Sequence, residues 1–134
     1  MIRLAAIDHV VFRVADLDAA MRFYTEVLGA TLEKVQAGIG LYQLRAGTAL
    51  IDLVPVDGHL GRMGGAGPGR EGRNVDHVCF RVLPWDEAAI LAHLARHGIK
   101  AQVERRYGAE GNGPSIYLAD PDGNGLELKG PASA

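Results

Sequence analysis

The chain has 134 residues, 48% of them apolar and 22% charged, with a formal net charge of −2. That length suits one compact domain or two very small modules sharing a core, and the composition is that of a folded chain rather than a disordered one. It argues against a basic nucleic-acid binder or a polybasic membrane anchor. The single Cys79 excludes an intramolecular disulfide framework and a cysteine-rich zinc site. No charged-then-apolar leader and no apolar run of membrane-spanning length is present, so a cytoplasmic protein is expected, with no nucleic-acid or membrane partner.

Residues 7–14 read Ile-Asp-His-Val-Val-Phe-Arg-Val, a β-branched-rich run that predicts a strand. Asp16 or Asp18 can cap a helix over 19–28, where Ala20, Phe23, Tyr24, Val27 and Leu28 recur at helical spacing and Gly29 ends the run. Short strands are expected at 30–36, 41–45 and 49–54, with Gly47-Thr48 turning between the last two. Residues 57–74 hold seven glycines and little apolar content, which predicts a linker or mobile flap. Residues 75–82 then read Val-Asp-His-Val-Cys-Phe-Arg-Val, identical to the opening run at six of eight positions. This is an internal repeat. Pro84 and Asp86 precede a helix over 88–97, striped by Ile90, Leu91 and Leu94 and stopped by Gly98. Strands at 100–104, 115–119 and 126–129 follow, with Asp122-Gly123-Asn124-Gly125 as a tight turn. The order is βαβββ written twice: module one 5–56, linker 57–74 and module two 75–130, within a single domain of 1–134.

Alternation along the first strand puts His9, Val11 and Arg13 on one face and the apolar Val10, Phe12 and Val14 on the other. His77, Cys79 and Arg81 share the corresponding face of the repeat. The last strand of each module carries one acid inside an apolar run, Asp52 and Glu127. A buried mid-strand carboxylate is costly unless a cation or donors meet it. Each module thus offers one imidazole and one acid, His9 with Asp52 and His77 with Glu127. Two imidazoles and two carboxylates suit one divalent transition ion (Ni, Zn, Mn, Fe or Co) with positions open to water or substrate. A lone strand histidine is more often a hydrogen-bonded structural residue, but recurrence in register shifts the balance toward coordination.

These residues resemble the vicinal oxygen chelate superfamily, which includes glyoxalase I, fosfomycin-resistance enzymes, methylmalonyl-CoA epimerase, extradiol dioxygenases and bleomycin-resistance proteins. Asp8-His9-Val10, Leu17 and Phe23-Tyr24-Thr25-Glu26-Val27-Leu28-Gly29 are similar to the family's opening strand and helix. Asp120-Pro121-Asp122-Gly123-Asn124-Gly125-Leu126-Glu127-Leu128 is similar to its closing hairpin. The resemblance implies an α+β fold in which two βαβββ modules form a curled mixed sheet, a cup with helices outside, around a metal held by His9, Asp52, His77 and Glu127. Glyoxalase I has Glu where Asp52 stands. Its resemblance assigns Arg13 and Arg73 to anion binding, although Val56 replaces an asparagine of that pattern. The run 106–117 looks like the substrate loop of fosfomycin-type and dioxygenase-type members, which implies substrate contacts for Tyr107, Ser115 and Tyr117.

The function expected is a metal-dependent, glyoxalase-like lyase or isomerase acting on a small anionic α-oxygenated substrate through an enediolate-type intermediate. Glu127 or Asp52 would move the proton between adjacent carbons, with the longer Glu127 favoured. Arg13 and Arg81, on the His-bearing faces, would favour the anionic substrate. The alternatives are a fosfomycin-type epoxide-opening transferase or hydrolase, an Fe(II) extradiol dioxygenase, and a non-catalytic drug- or metabolite-binding protein. The resemblance also implies a homodimer. His59 in the glycine-rich stretch, His93 and His97 on the second helix, Cys79 and Trp85 are secondary candidates, read chiefly as solvated or packing residues.

Overall fold

In the computed structural model, which describes residues 1–133, the chain divides into two compact units, Met1–Gly69 and residues 70 onward. The first contains β1 (His9–Val14), α1 (Leu17–Arg22), β2 (Thr31–Gln36), β3 (Leu41–Ala46) and β4 (Ala49–Pro55). The second contains β5 (His77–Arg81), α2 (Glu87–Arg96), β6 (Val103–Gly108), β7 (Gly111–Ala119) and β8 (Gly125–Lys129). Each unit has one four-stranded mixed sheet, ordered β1-β4-β3-β2 in the first and β5-β8-β7-β6 in the second. The opening strand runs parallel to the last one, and the remaining pairs are antiparallel. The fold is α+β, with βαβββ repeated.

The helices begin where a side chain can satisfy their free N–H groups. Asp16 accepts from the Ala19 N–H at 3.0 Å, and Asp86 from the Ala89 N–H at 3.1 Å. The first helix is not uniform. After Arg22 it widens into a π-helical turn over Phe23–Val27, where the Thr25 hydroxyl donates to the Met21 carbonyl at 2.8 Å. Such back-bonding by a mid-helix hydroxyl perturbs the regular ladder. In the first unit Phe12, Val14, Leu44, Ile51 and Leu53 are buried with Ala20, Phe23 and Tyr24, and the Phe12 and Tyr24 rings stack at 5.7 Å. Leu94, Ile116, Leu126 and Leu128 form the corresponding core of the second. Each such side chain stabilises by about 2 kcal/mol relative to exposure.

Two segments differ from the sequence expectation. Residues 106–117, expected as a substrate loop, belong to a regular hairpin in which Arg106 faces Gly113, Tyr107 faces Asn112 and Gly108 faces Gly111. Gly-Asn-Gly-Pro is a poor strand former locally, and cross-strand pairing overrides that propensity. The glycine-rich stretch is tied down in its first half. Its 61–64 turn is held by Arg13, whose guanidinium donates to the carbonyls of Gly61 (2.8 and 3.2 Å), Gly65 (2.6 Å) and Ala66 (2.9 Å). Gly64 makes room for this contact: a Cβ there would lie 2.3 Å from Arg13 Nε, and the guanidinium would have to shift.

The turn before β8 is built on Asp120. Its buried carboxylate accepts from the backbone N–H groups of Asp122 and Asn124, both at 2.9 Å, and from Asn124 Nδ2 at 2.8 Å. Removing an acceptor with three donors leaves those groups unpaired. Asp120→Ala should therefore lower unfolding free energy by about 2 kcal/mol in urea titration, and a loss below about 0.5 kcal/mol would deny the turn its structural role.

Candidate functional site

The two sheets repeat one lattice of side chains. Val11 stands opposite Asp52 in the β1–β4 pair, and Cys79 stands opposite Glu127 in the β5–β8 pair. On the other side Gln43 faces Asp52 and Tyr117 faces Glu127. The histidine lies two residues before Val11 or Cys79 on the same face, one diagonal step from the acid, within reach of a long side chain. His9 and Asp52 are thus brought to one face of the first sheet, and His77 and Glu127 to one face of the second.

Each histidine is oriented by the aspartate before it. His9 Nδ1 lies 2.6 Å from Asp8 Oδ1, and His77 Nδ1 lies 2.7 Å from Asp76 Oδ2. A carboxylate only accepts, so Nδ1 of each ring carries a proton; in a neutral His9 this leaves the lone pair on Nε2, whereas His77 Nε2 also faces a carboxylate, Glu127 Oε2, and shares a proton with it. These bonds are the largest cause of the upward displacement of both imidazole pKa values from 6.5; the fields of Asp52 and Glu127 add to it against desolvation.

The acids are buried, Asp52 at 2% and Glu127 at 6% exposure. Asp52 receives the Gln43 side-chain amide at 3.3 and 3.4 Å, and among the described residues no lysine or arginine pairs with it. Glu127 is held more closely. Its Oε1 accepts from the Ser115 hydroxyl at 2.6 Å, and its Oε2 lies 3.1 Å from His77 Nε2. Tyr117 meets the His77 ring edge-on at 5.6 Å, and Arg106, paired with Glu104, lies 6.0 Å from the Tyr117 ring centre. Gly125 stands opposite His77; a Cβ there would lie 2.5 Å from the Asp76 carbonyl and 3.1 Å from His77 Cβ.

Among the described residues, no three His, Cys, Asp or Glu side chains form one metal-binding cluster. The ligand candidates stand as two pairs, one in each unit. The expected substrate arginines are engaged elsewhere: Arg13 with the 61–66 carbonyls, Arg73 with the Gly123 carbonyl and Arg81 with Glu110 at 2.5 Å. Ser115 and Tyr117 adjoin Glu127 and His77, whereas Tyr107 is 80% exposed at the hairpin end. His93 and His97 face each other on α2, ring centres 4.8 Å apart. Sequence reasoning missed Gln43, Arg106 and the buried Lys129. Only Gln43 had a legible signal, its place opposite Asp52 across a Gly47-Thr48 hairpin.

The family model described as Glyoxalase/Bleomycin resistance protein/Dioxygenase superfamily matches residues 6–128. A glyoxalase domain-containing protein, RDO1 of Mycosarcoma maydis, is 34% identical over 138 residues, covering 92% of this chain and 66% of that relative. The chain thus spans just under two thirds of its length. Among solved structures, the virulence protein STM3117 from Salmonella typhimurium superposes with a TM-score of 0.77 at 26% identity, covering 98% of this chain and 100% of that one. A lactoylglutathione lyase from Agrobacterium tumefaciens superposes with a TM-score of 0.65 at 21% identity over 95% and 94% of the two chains, a likeness of fold.

Desolvation first, and then the Glu127 carboxylate, push the Cys79 thiol up to about 11. A thiol held that high stays largely protonated at pH 8, which makes Cys79 a poor resting nucleophile. Iodoacetamide should label it about a hundredfold more slowly at pH 8 than free cysteine. Labelling at the free-cysteine rate would show that the thiol is not held this way.

Proposed function

The chain belongs to the Glyoxalase/Bleomycin resistance protein/Dioxygenase superfamily, and from that premise we propose that it is a metal-dependent, glyoxalase-like lyase or isomerase acting on a small α-oxygenated substrate. The observation that carries this reading is the repeated half-site, in which an aspartate-oriented histidine and a buried acid occupy the same register positions in both modules. An Nδ1–H bonded to carboxylate is the usual second partner of a metal-binding imidazole. The donor set also fits a divalent ion. Glu127 Oε2 and His77 Nε2 face each other across 3.1 Å with a proton as their link, a place a cation takes over when that proton leaves.

In each module the histidine and the acid, His9 with Asp52 and His77 with Glu127, are the residues that would hold an ion. Bound there, it supplies Lewis-acid stabilisation of the oxyanion that develops beside the substrate's carbonyl carbon. Glu127, the longer acid, takes the substrate's α-proton at Oε2, the oxygen that Ser115 does not occupy, and returns it to the adjacent carbon. Asp52, short and buried, remains a ligand. Tyr117 bounds the second half-site beside His77, and Arg106, paired with Glu104, lies against that ring.

We further read the working form as a homodimer in the cytoplasm. β1 and β5 are edge strands with one neighbour each, and Ile7, Val11 and Val75 stay exposed on or beside them, which supports pairing with a second copy. Among the described residues no helix is long and apolar enough to cross a membrane.

Chelator-treated protein should gain several degrees in melting temperature with at least one of Ni²⁺, Zn²⁺, Mn²⁺, Fe²⁺ or Co²⁺, by mass action on the folded state. His77→Gln and Glu127→Gln should each abolish the gain. The active metal form should consume methylglyoxal hemithioacetal or a related α-hydroxy carbonyl, with Glu127→Gln at least a hundredfold slower. No gain with any ion refutes the metal reading, and oxygen uptake with catechols in its place reassigns the chemistry to ring cleavage.

A further inference from the structure

We propose that Lys129 is a positioning residue that acts through Ser115 to commit Glu127 Oε1 and leave Oε2 alone for the ion and the proton, an inference that rests on the role given to Glu127 above.

Lys129 follows Glu127 by two residues on β8 and shares its face, and both are buried. A buried ammonium is costly unless its donors are matched. Here three acceptors meet Nζ: the carbonyls of Arg106 at 2.6 Å and Gly113 at 3.3 Å, and Ser115 Oγ at 3.3 Å. The β6–β7 hairpin is shaped around the stem. At Gly108 a Cβ would lie 2.5 Å from Lys129 Cε and 2.8 Å from Cδ.

Ser115 pairs with Lys129 in register and has one proton to give. An ammonium offers only donors, so Ser115 Oγ accepts from Nζ and sends its own proton to Glu127 Oε1 at 2.6 Å. The contacts run Lys129, Ser115, Glu127, His77, Asp76; the ammonium sets the donor direction as far as Glu127 Oε1, and His77 lies between the carboxylates of Glu127 and Asp76. With Oε1 occupied, Glu127 presents one oxygen to the His77 side rather than chelating through both. The first half-site has a neutral relay instead: Gln36 Nε2 donates to Gln43 Oε1 at 3.1 Å and Gln43 Nε2 to both oxygens of Asp52, with no ammonium behind them among the described residues. Val54 stands two residues after Asp52, Leu41 two before Gln43, and neither carries a polar group.

The test is a double-mutant cycle in the full chain, Lys129→Met, Ser115→Ala and both together, with Gly108→Ala as an independent way of displacing the lysine. Urea unfolding of the metal-free protein, Co²⁺ affinity and the visible spectrum of the Co²⁺ form are read for each. Lys129→Met should weaken Co²⁺ about tenfold and change the band intensities, a size typical of groups that orient metal ligands. It should have little further effect once Ser115 is alanine, and Gly108→Ala should reproduce the spectral change. Independent effects of the two substitutions on affinity, or a lowered urea midpoint with an unaltered Co²⁺ spectrum, would overturn the proposal. Wild-type protein that binds no Co²⁺ would sink the metal reading, and the metal-free cycle then decides alone: coupled losses uphold the chain through Ser115, additive losses refute it. Should Lys129→Met not fold, the Gly108→Ala and Ser115→Ala cycle decides by the same criteria.

Discussion

A carboxylate buried halfway along a strand governs both modules. Water would solvate such a group far better than a sheet does, so each acid must find compensation among its neighbours. Strand pairing limits which neighbours can answer. In the first module the residue opposite on β3 is Gln43, which donates two long bonds. In the second the opposite residue is Tyr117, and compensation comes from the residues a step farther along, Ser115 and Lys129. The preceding aspartates complete the pattern by orienting the histidines that face the acids.

Close backbone approach is the second constraint, and it falls on particular glycines. Gly125 leaves space beside His77, Gly108 leaves it for the lysine stem, and Gly64 lets Arg13 lie against the 61–66 turn. None of these is a turn glycine in the left-handed region. What each contributes is an absent Cβ at a contact between residues far apart in sequence. A reading that treats glycine as turn punctuation sees Gly125 only as the end of Asp-Gly-Asn-Gly, and misses that it is also the floor under a histidine.

The same distinction explains how much was legible beforehand. The repeated eight-residue run gave β1 and β5, and lone acids in apolar runs gave β4 and β8, with His9 and Asp52 on one face of the first sheet and His77 and Glu127 on one face of the second, because strand period and identity are local properties. Asp86 and the Ile90, Leu91 and Leu94 stripe gave α2 to within a residue at each end. The β6–β7 hairpin was unreadable because Gly-Asn-Gly-Pro gains its strand character from its partner. Arg13 was read as an anion ligand because its face was right; its engagement depends on four carbonyl contacts 48 to 53 residues away. Lys129 was hidden for a related reason, since a lysine at a strand end is ordinarily a solvated one.

Duplication also supplies a physical reason for the modules to diverge. Two copies of one half-site with equal acids would be interchangeable, and under the proposed function neither acid would be better suited than the other to move a proton. The chain departs from symmetry at the acid itself, Asp against Glu, and at the residues beside it. Glutamate adds a methylene of reach, and reach without restraint costs side-chain entropy each time the group must return to one position. Ser115, backed by Lys129, restrains one oxygen of the longer acid, while the shorter Asp52 is confined by its own length, by burial and by the Gln43 amide. Under the role proposed for Glu127, the buried lysine and the longer carboxylate are therefore complementary: the extra reach would serve proton movement while Ser115, backed by the ammonium, holds one oxygen in place.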